Sequence, residues 1–203
     1  PSKPEQMRLI QTAGDVKVNG QAAKAGVRLD EAAKIEAGDD SSAVLEMADG
    51  SRVKVLPNSV ADIVRSRNYT SPESSASSKI LNWFGSKIRL AQGALETTVN
   101  KDGKQPRVKP MEVETTTSLI GVRGTSFRVA AADKYVPFDR AEVLEGTVSN
   151  INTWKNSEIS LGAGQGAVVN PNEADMQAIA LLPAPTVPAK GQVLRRPQAY
   201  WQF

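Results

Sequence analysis

Acid–base and nucleophilic chemistry near neutral pH leans on a few side chains, and this chain lacks two of the commonest. It has no histidine and no cysteine. Histidine is the usual general base and metal ligand near pH 7. A Ser-His-Asp or Cys-His centre is therefore impossible within the chain. Disulfides, thiolate attack and Cys-ligated zinc are excluded as well. Asp30-Glu31 and Asp39-Asp40 are adjacent acids, but they lack the spaced ligands of a calcium loop and read as solvated turn carboxylates. No pair of acids is singled out for glycoside hydrolysis. Gly162-Ala163-Gly164-Gln165-Gly166 lacks the Lys-Ser/Thr ending of a phosphate loop and opens no helical pattern, so it reads as a turn between strands. The sequence predicts no catalytic residue, no cofactor and no metal.

Two features carry the binding expectations. The first is Gly121-Val122-Arg123-Gly124-Thr125-Ser126-Phe127-Arg128-Val129. Glycine is the default where a backbone turns with positive φ or approaches another closely. The stretch therefore reads as a tight corner feeding a strand, with Phe127 and Val129 on one face and Ser126 and Arg128 on the other. Gly121, Arg123, Gly124, Thr125 and Phe127 read as structural, with Arg123 satisfying carbonyls at the corner rather than anchoring a ligand. The second feature is the aromatics. They make up only 5% of the chain, so Trp83 and Phe84 read as core filling. Trp154 has polar neighbours and is the candidate partner-binding aromatic.

These residues must be positioned by strands. From Gly14 to about Val64 the pattern has period two, broken by turn residues every eight to twelve positions. Asn19-Gly20 and Asp49-Gly50 are hairpin signals. Arg52-Val53-Lys54-Val55 places its valines on one face. Residues 66–79, rich in serine, read as a flexible loop. Ile80–Phe84 reads as a helical turn or a buried strand, and the Thr-rich run from Val113 to Ile120 as one strand. Further strands are expected over 126–130, 141–144, 147–151, 158–161 and 166–169, with Glu145-Gly146 turning between two of them. Asn172–Leu182 is expected to form a short helix. Pro183, Pro185 and Pro188 then impose an extended linker. Even spacing of short strands argues for an all-β fold, a twisted sandwich or a coiled, solenoid-like sheet.

With 203 residues, 40% of them apolar, the chain can bury a substantial core. The pI of about 9.2 invites a nucleic-acid partner. The charges are interspersed, however, and no basic run reaches five residues, so that class is set aside. No run of about 18 apolar residues marks a transmembrane helix.

Six motifs then appear in one order. They are Gly14–Gly20, Gly38-Asp39-Asp40-Ser41-Ser42-Ala43-Val44-Leu45, the pair Asp49-Gly50-Ser51 and Leu56-Pro57-Asn58-Ser59, Gly121–Val129, Val143-Leu144-Glu145-Gly146-Thr147-Val148, and Leu161–Gly166. Together they resemble the FecR-domain family of bacterial cell-envelope proteins. The resemblance implies an all-β domain, periplasmic or at the cell surface. The founding members relay a signal from an outer-membrane transporter to a sigma factor. A second branch places the domain between peptidoglycan-binding and Ig-like modules, which would give peptidoglycan contact through modules outside this chain. The expected organisation is a lead-in at 1–13, a FecR-like β domain at 14–170, a Pro-rich linker at 171–192, and the start of a further module or tail at 193–203. The expected role is non-catalytic binding, of an envelope protein or of a second copy, by β-augmentation. A signalling regulator coupled to a transporter and a structural component built by strand exchange stand beside it.

Overall fold

The computed structural model describes residues 7–48, 50–66, 84–99 and 109–181, and for residues 84–85, 109–110 and 122–125 the backbone alone. These residues form sixteen strands and no helix. In chain order the strands are β1 (Met7–Ala13), β2 (Val16–Val18), β3 (Gln21–Ala22), β4 (Arg28–Leu29), β5 (Lys34–Ala37), β6 (Ser42–Glu46), β7 (Arg52–Val55) and β8 (Ser59–Ser66). They continue with β9 (Phe84–Gln92), β10 (Ala94–Thr98), β11 (Lys109–Glu114), β12 (Ser118–Ala130), β13 (Asp139–Asn152), β14 (Ser157–Gly162), β15 (Gln165–Val169) and β16 (Ile179–Ala180).

All sixteen belong to one sheet, whose main path runs β3-β2-β5-β8-β9-β11-β12-β10-β7-β6-β1-β4. The order forces the sheet to curl. β7 and β8 are joined by Leu56–Asn58, yet four strands lie between them in the path. In a flat sheet they would be about 24 Å apart, while the connection spans at most about 14 Å. β9 and β10 make the same point, since Gly93 alone links them across two intervening strands. With no helix among the described residues, curling is also how the sheet buries its apolar face. The alternation does the rest. Val53 and Val55 point in while Arg52 and Lys54 point out, and Phe127 and Val129 are buried while Ser126 and Arg128 are half-buried, as the sequence predicts. One core cluster runs from Met7 and Leu9 to Leu161 and Val169, each large aliphatic contributing about 2 kcal/mol by leaving water.

The chain crosses repeatedly between the two halves of this path, and its corners stack into a seam. Asp15 follows the corner glycine Gly14, gives its N–H to Ser41 Oγ at 2.8 Å and accepts the Gly38 N–H at 3.0 Å. The Gly38 carbonyl accepts the Asn58 N–H at 3.1 Å. Ser59, fully buried, accepts the Ala94 N–H at 2.8 Å through its hydroxyl. The Gly93 carbonyl accepts the Ala131 N–H at 2.9 Å. Each corner therefore satisfies backbone groups of the next that the strand ladders leave unpaired.

Several expectations need correction. Residues 7–13 are not a lead-in. They form β1, hydrogen-bonded to β4 and β6 with Met7 and Leu9 buried on one face of the strand. The Thr-rich run is two strands, split where Thr115 and Thr117 spend their hydroxyls on Asp139 rather than on strand packing. Glu145-Gly146 does not separate two strands. It is a kink within β13, with Gly146 at φ 82°. The expected helix from Asn172 is absent over the described residues to Leu181. β16 pairs instead with β15, so the sheet runs past residue 170. The serine-rich loop beyond Ser66, Trp83 and the Pro-rich segment lie outside the described residues.

The seam predicts an asymmetry between two glycines with the same backbone twist. At Gly93 (φ +79°) a Cβ would lie 2.6 Å from the Ser59 Cα and 2.7 Å from the Asn58 carbonyl oxygen, whereas at Gly20 (φ +78°) it meets nothing within 4 Å. Gly20→Ala should cost about 1 kcal/mol for the left-handed backbone, and Gly93→Ala about 3 kcal/mol or more, since backbone atoms must also move. Urea unfolding of the two variants measures the difference.

Candidate interaction site

The motif around Arg123 sits inside β12, not at a corner. Gly121 lacks a positive φ, and a Cβ there would meet nothing within 4 Å, so neither torsion nor crowding explains that glycine. The register shows what happens instead. Arg123 pairs with Thr147 and Ser126 with Glu145, leaving Gly124 and Thr125 opposite the single residue Gly146. This two-against-one arrangement is a β-bulge, which bends a strand. The bend falls where β12 changes neighbours. Its first part, Leu119–Val122, pairs with β11, and its last part, Ser126–Ala130, pairs with β10. The bulge thus marks the place where one strand passes between the halves of the curled sheet. Phe127, just beyond it, is 0% exposed and lies between Thr97 and Val143 in the register. The side chains of Arg123 and Thr125 are outside the described set.

Beyond the bulge, β13 carries two strands end to end on its outer side. β14 pairs with Thr147–Asn152 and β15 with Asp139–Glu142. Two buried polar residues fix this unit. The Asp139 carboxylate accepts Thr115 Oγ1 at 2.6 Å, the Thr117 N–H at 3.0 Å, the Thr117 hydroxyl, and, on its other oxygen, the Ala132 N–H at 2.8 Å. It ties the β11–β12 turn to the start of β13. At the other end Asn152, fully buried, donates to the Asn170 and Glu173 carbonyls at 3.0 Å each and accepts the N–H groups of Trp154 and Lys155 at 3.0 and 3.2 Å. Neither residue stands out in the sequence. A lone Asp-Arg at a strand start and an Asn-x-Asn run read as ordinary polar positions, and only the fold gathers their donors and acceptors.

Trp154 lies in the β13–β14 turn. It is 61% exposed, and its indole N–H is held by the Thr116 carbonyl at 3.2 Å. The ring is thus pinned at its polar edge and open on its apolar surface. Trp154 and the bulge stand at opposite ends of β14, since Gly162, Thr147 and Arg123 share one cross-strand row while Ser157 pairs with Asn152.

β14 itself is the open edge. Among the described residues, the strands that end the sheet's branches are β3, β4, β14 and β16. Three of them are two residues long, and β14 has six. Short edges protect a sheet from unwanted pairing, as do lysines, prolines and bulges. β14 has none of these. Its sequence is Ser157-Glu158-Ile159-Ser160-Leu161-Gly162 and its pairing with β13 is unbroken. Gly162 gives its N–H to Gln165 Oε1 at 2.7 Å, not to β13. By the alternation of an antiparallel ladder, the N–H and C=O groups of Ser160 and Glu158 also point away from β13.

Perturbed acids lie elsewhere. The hydrogen bond from Lys87, at 2.7 Å, pulls the Glu114 carboxyl below the usual range, with Arg89 assisting against partial burial. Burial pushes Glu142 up, opposed by Arg128 and Arg140. The ion pairs of Glu114 and the burial of Glu142 are sufficient structural reasons for the two shifts. No group of three or more metal-binding side chains gathers among the described residues, and none of them lies in a helix long and apolar enough to cross a membrane. Asp139 ties the start of β13 to the β11–β12 turn. Asp139→Ala should lower stability by about 3 kcal/mol, because the buried Thr115 and Thr117 and the Ala132 N–H lose an acceptor. Chemical denaturation of wild type and variant checks it.

The comparisons with known proteins agree with this architecture. Two crystal structures of a candidate anti-sigma factor from Parabacteroides distasonis, at 1.65 and 2.50 Å, share the fold, with TM-scores of 0.53 and 0.52 at 17% and 18% identity. In each case the match covers 73% of this chain and 59% of the other, so this chain corresponds to little more than half of those proteins. No curated protein matches. The model of the FecR protein family matches residues 33–149, from just before β5 through the kink of β13, more than half of the chain. The curled sheet, its corner seam and its bulged β12 thus belong to a member of the FecR protein family.

Proposed function

We propose that this chain is a non-catalytic, protein-binding module of cell-envelope signalling that accepts a partner strand on the open edge of β14. The observation that carries this is the edge itself. It is six residues long, unbulged and free of lysine and proline, where every other terminal strand of the described sheet is a two-residue stub. Strand addition takes its affinity from main-chain hydrogen bonds and its selectivity from side chains on alternate positions. Family membership and the likeness to a candidate anti-sigma factor support a regulatory role. On this reading the domain works in the periplasm or at the cell surface. Trp154, pinned by Thr116, offers the partner an apolar face at the end of the strand. Gly121, Arg123, Gly124, Thr125 and Phe127 serve the bend of β12 and not the partner. The strand-switching corners support classing the curled sheet as a twisted, solenoid-like sandwich. Wall contact through peptidoglycan-binding modules would lie outside this chain.

A structural component of an envelope assembly, built by strand exchange, is the second reading, and the same edge favours it. The two differ in what the edge captures. The test is a pull-down from envelope extract with wild type and Ser160→Pro as baits. The Ser160 N–H faces away from β13, so proline there removes a partner's bond without breaking the existing ladder. Ser160→Pro should keep the wild-type melting behaviour and lose the captured envelope protein. Undiminished capture by Ser160→Pro would refute strand addition at β14.

A further inference from the structure

We infer that β14 pairs with β14 of a second copy of this chain, antiparallel about a two-fold axis through Ile159. The inference rests on the edge reading above and names the occupant of that edge while no envelope partner is bound, since one edge accepts one strand at a time. A two-fold axis normal to the sheet sets each residue opposite one of the same face, and side chains alternate between faces. Two registers then centre the strand, with either Ile159 or Ser160 opposite itself. The backbone decides between them. Gly162 has committed its N–H to Gln165, and the register centred on Ser160 places Gly162 opposite Glu158, where that N–H is needed. The register centred on Ile159 uses only the outward groups of Glu158 and Ser160, which face each other on both sides of the axis and exchange main-chain bonds.

The side chains fit the same register. Ile159, half-buried in one copy, meets its equivalent at the centre. Ser157 faces Leu161. Glu158 is the sole charge of β14, and it faces Ser160 of the second copy, not another glutamate, so no like charges meet. Glu158 already accepts the Ser149 hydroxyl on one oxygen, and its other oxygen is placed to accept the hydroxyl of Ser160.

The chain's own continuation does not suit this edge. β16 runs antiparallel to β15, with Ala180 opposite Gln165, and the Leu181 N–H reaches the Gly164 carbonyl at 2.8 Å. Extending that register would set Pro183 opposite Gly162 and Pro185 opposite Ser160. Proline has no N–H to give, and these are the positions where β14 offers its outward carbonyls.

Sedimentation of the full 203-residue chain over a concentration series tests the pairing, with melting curves confirming that each variant folds. Wild type should rise with concentration toward twice the 21.7 kDa of one chain. Ile159→Lys, which sets two ammonium groups opposite each other at the axis, should remain at the mass of one chain. Ser160→Lys sets a cation opposite Glu158 twice and should tighten the dimer roughly 2- to 30-fold. In the register centred on Ser160 the same change would set two cations together and weaken it. A wild type that stays monomeric to about millimolar concentration, or a dimer weakened by Ser160→Lys or untouched by Ile159→Lys, overturns the inference. A monomeric wild type that still captures its envelope partner through β14 would overturn the pairing alone and leave the proposed function standing. Loss of both would remove the edge reading itself.

Discussion

The structure depends on how the backbone turns its corners. A sheet that curls to cover its own core sends its chain from one half to the other many times. Every crossing leaves N–H and C=O groups that the strand ladders do not use. Here the corners satisfy one another. The Asp15 carbonyl takes the N–H of Gly38, the Gly38 carbonyl that of Asn58, and the Gly93 carbonyl that of Ala131. The buried hydroxyls of Ser41 and Ser59 take the N–H groups of Asp15 and Ala94. The core in turn depends on the seam, because the inward faces meet only if the crossings are as tight as these bonds make them.

The bulge in β12 and the kink in β13 are the counterpart of the seam. Most of the chain changes halves by ending a strand and starting another. β12 does so without ending, by inserting Gly124 and Thr125 opposite Gly146. The bend leaves β13 long enough to carry both β14 and β15 on its outer side. The open edge is thus a consequence of how the sheet closes. β14 lies beside the second half of β13, and among the described residues no strand lies beyond it.

Much of this is legible in the sequence. The period-two patterns at Arg52–Val55 and Ser126–Val129, the Asn19-Gly20 hairpin and the ordered motifs give the all-β class and the family. What the sequence misreads has a common physical cause, since local signals do not reveal non-local partners. Gly121 and Gly124 look like a corner because glycine pairs usually mark one, but pairing with β13 makes Gly124 part of a bulge within β12. Thr115 and Thr117 have high strand propensity, yet a carboxylate 22 or 24 residues away captures their hydroxyls. Residues 172–181 carry helix-forming side chains and no strong strand signal, yet Ile179 and Ala180 pair with β15. Trp154 is the one candidate whose exposure its polar neighbours foretold, while the tie to Thr116 could not be read from them. The edge character of β14 is invisible locally, because whether a strand has one neighbour or two is a property of topology.

The account's central claim is that the corner seam is part of the cooperative fold. Native-state hydrogen exchange, resolved by residue, tests it most directly. The amides of Gly38, Asn58, Ala94 and Ala131 should exchange only through global unfolding, with the same free energy as core strand amides such as that of Val53. Exchange of these corner amides through local opening, at a free energy well below that of the core strands, would contradict it.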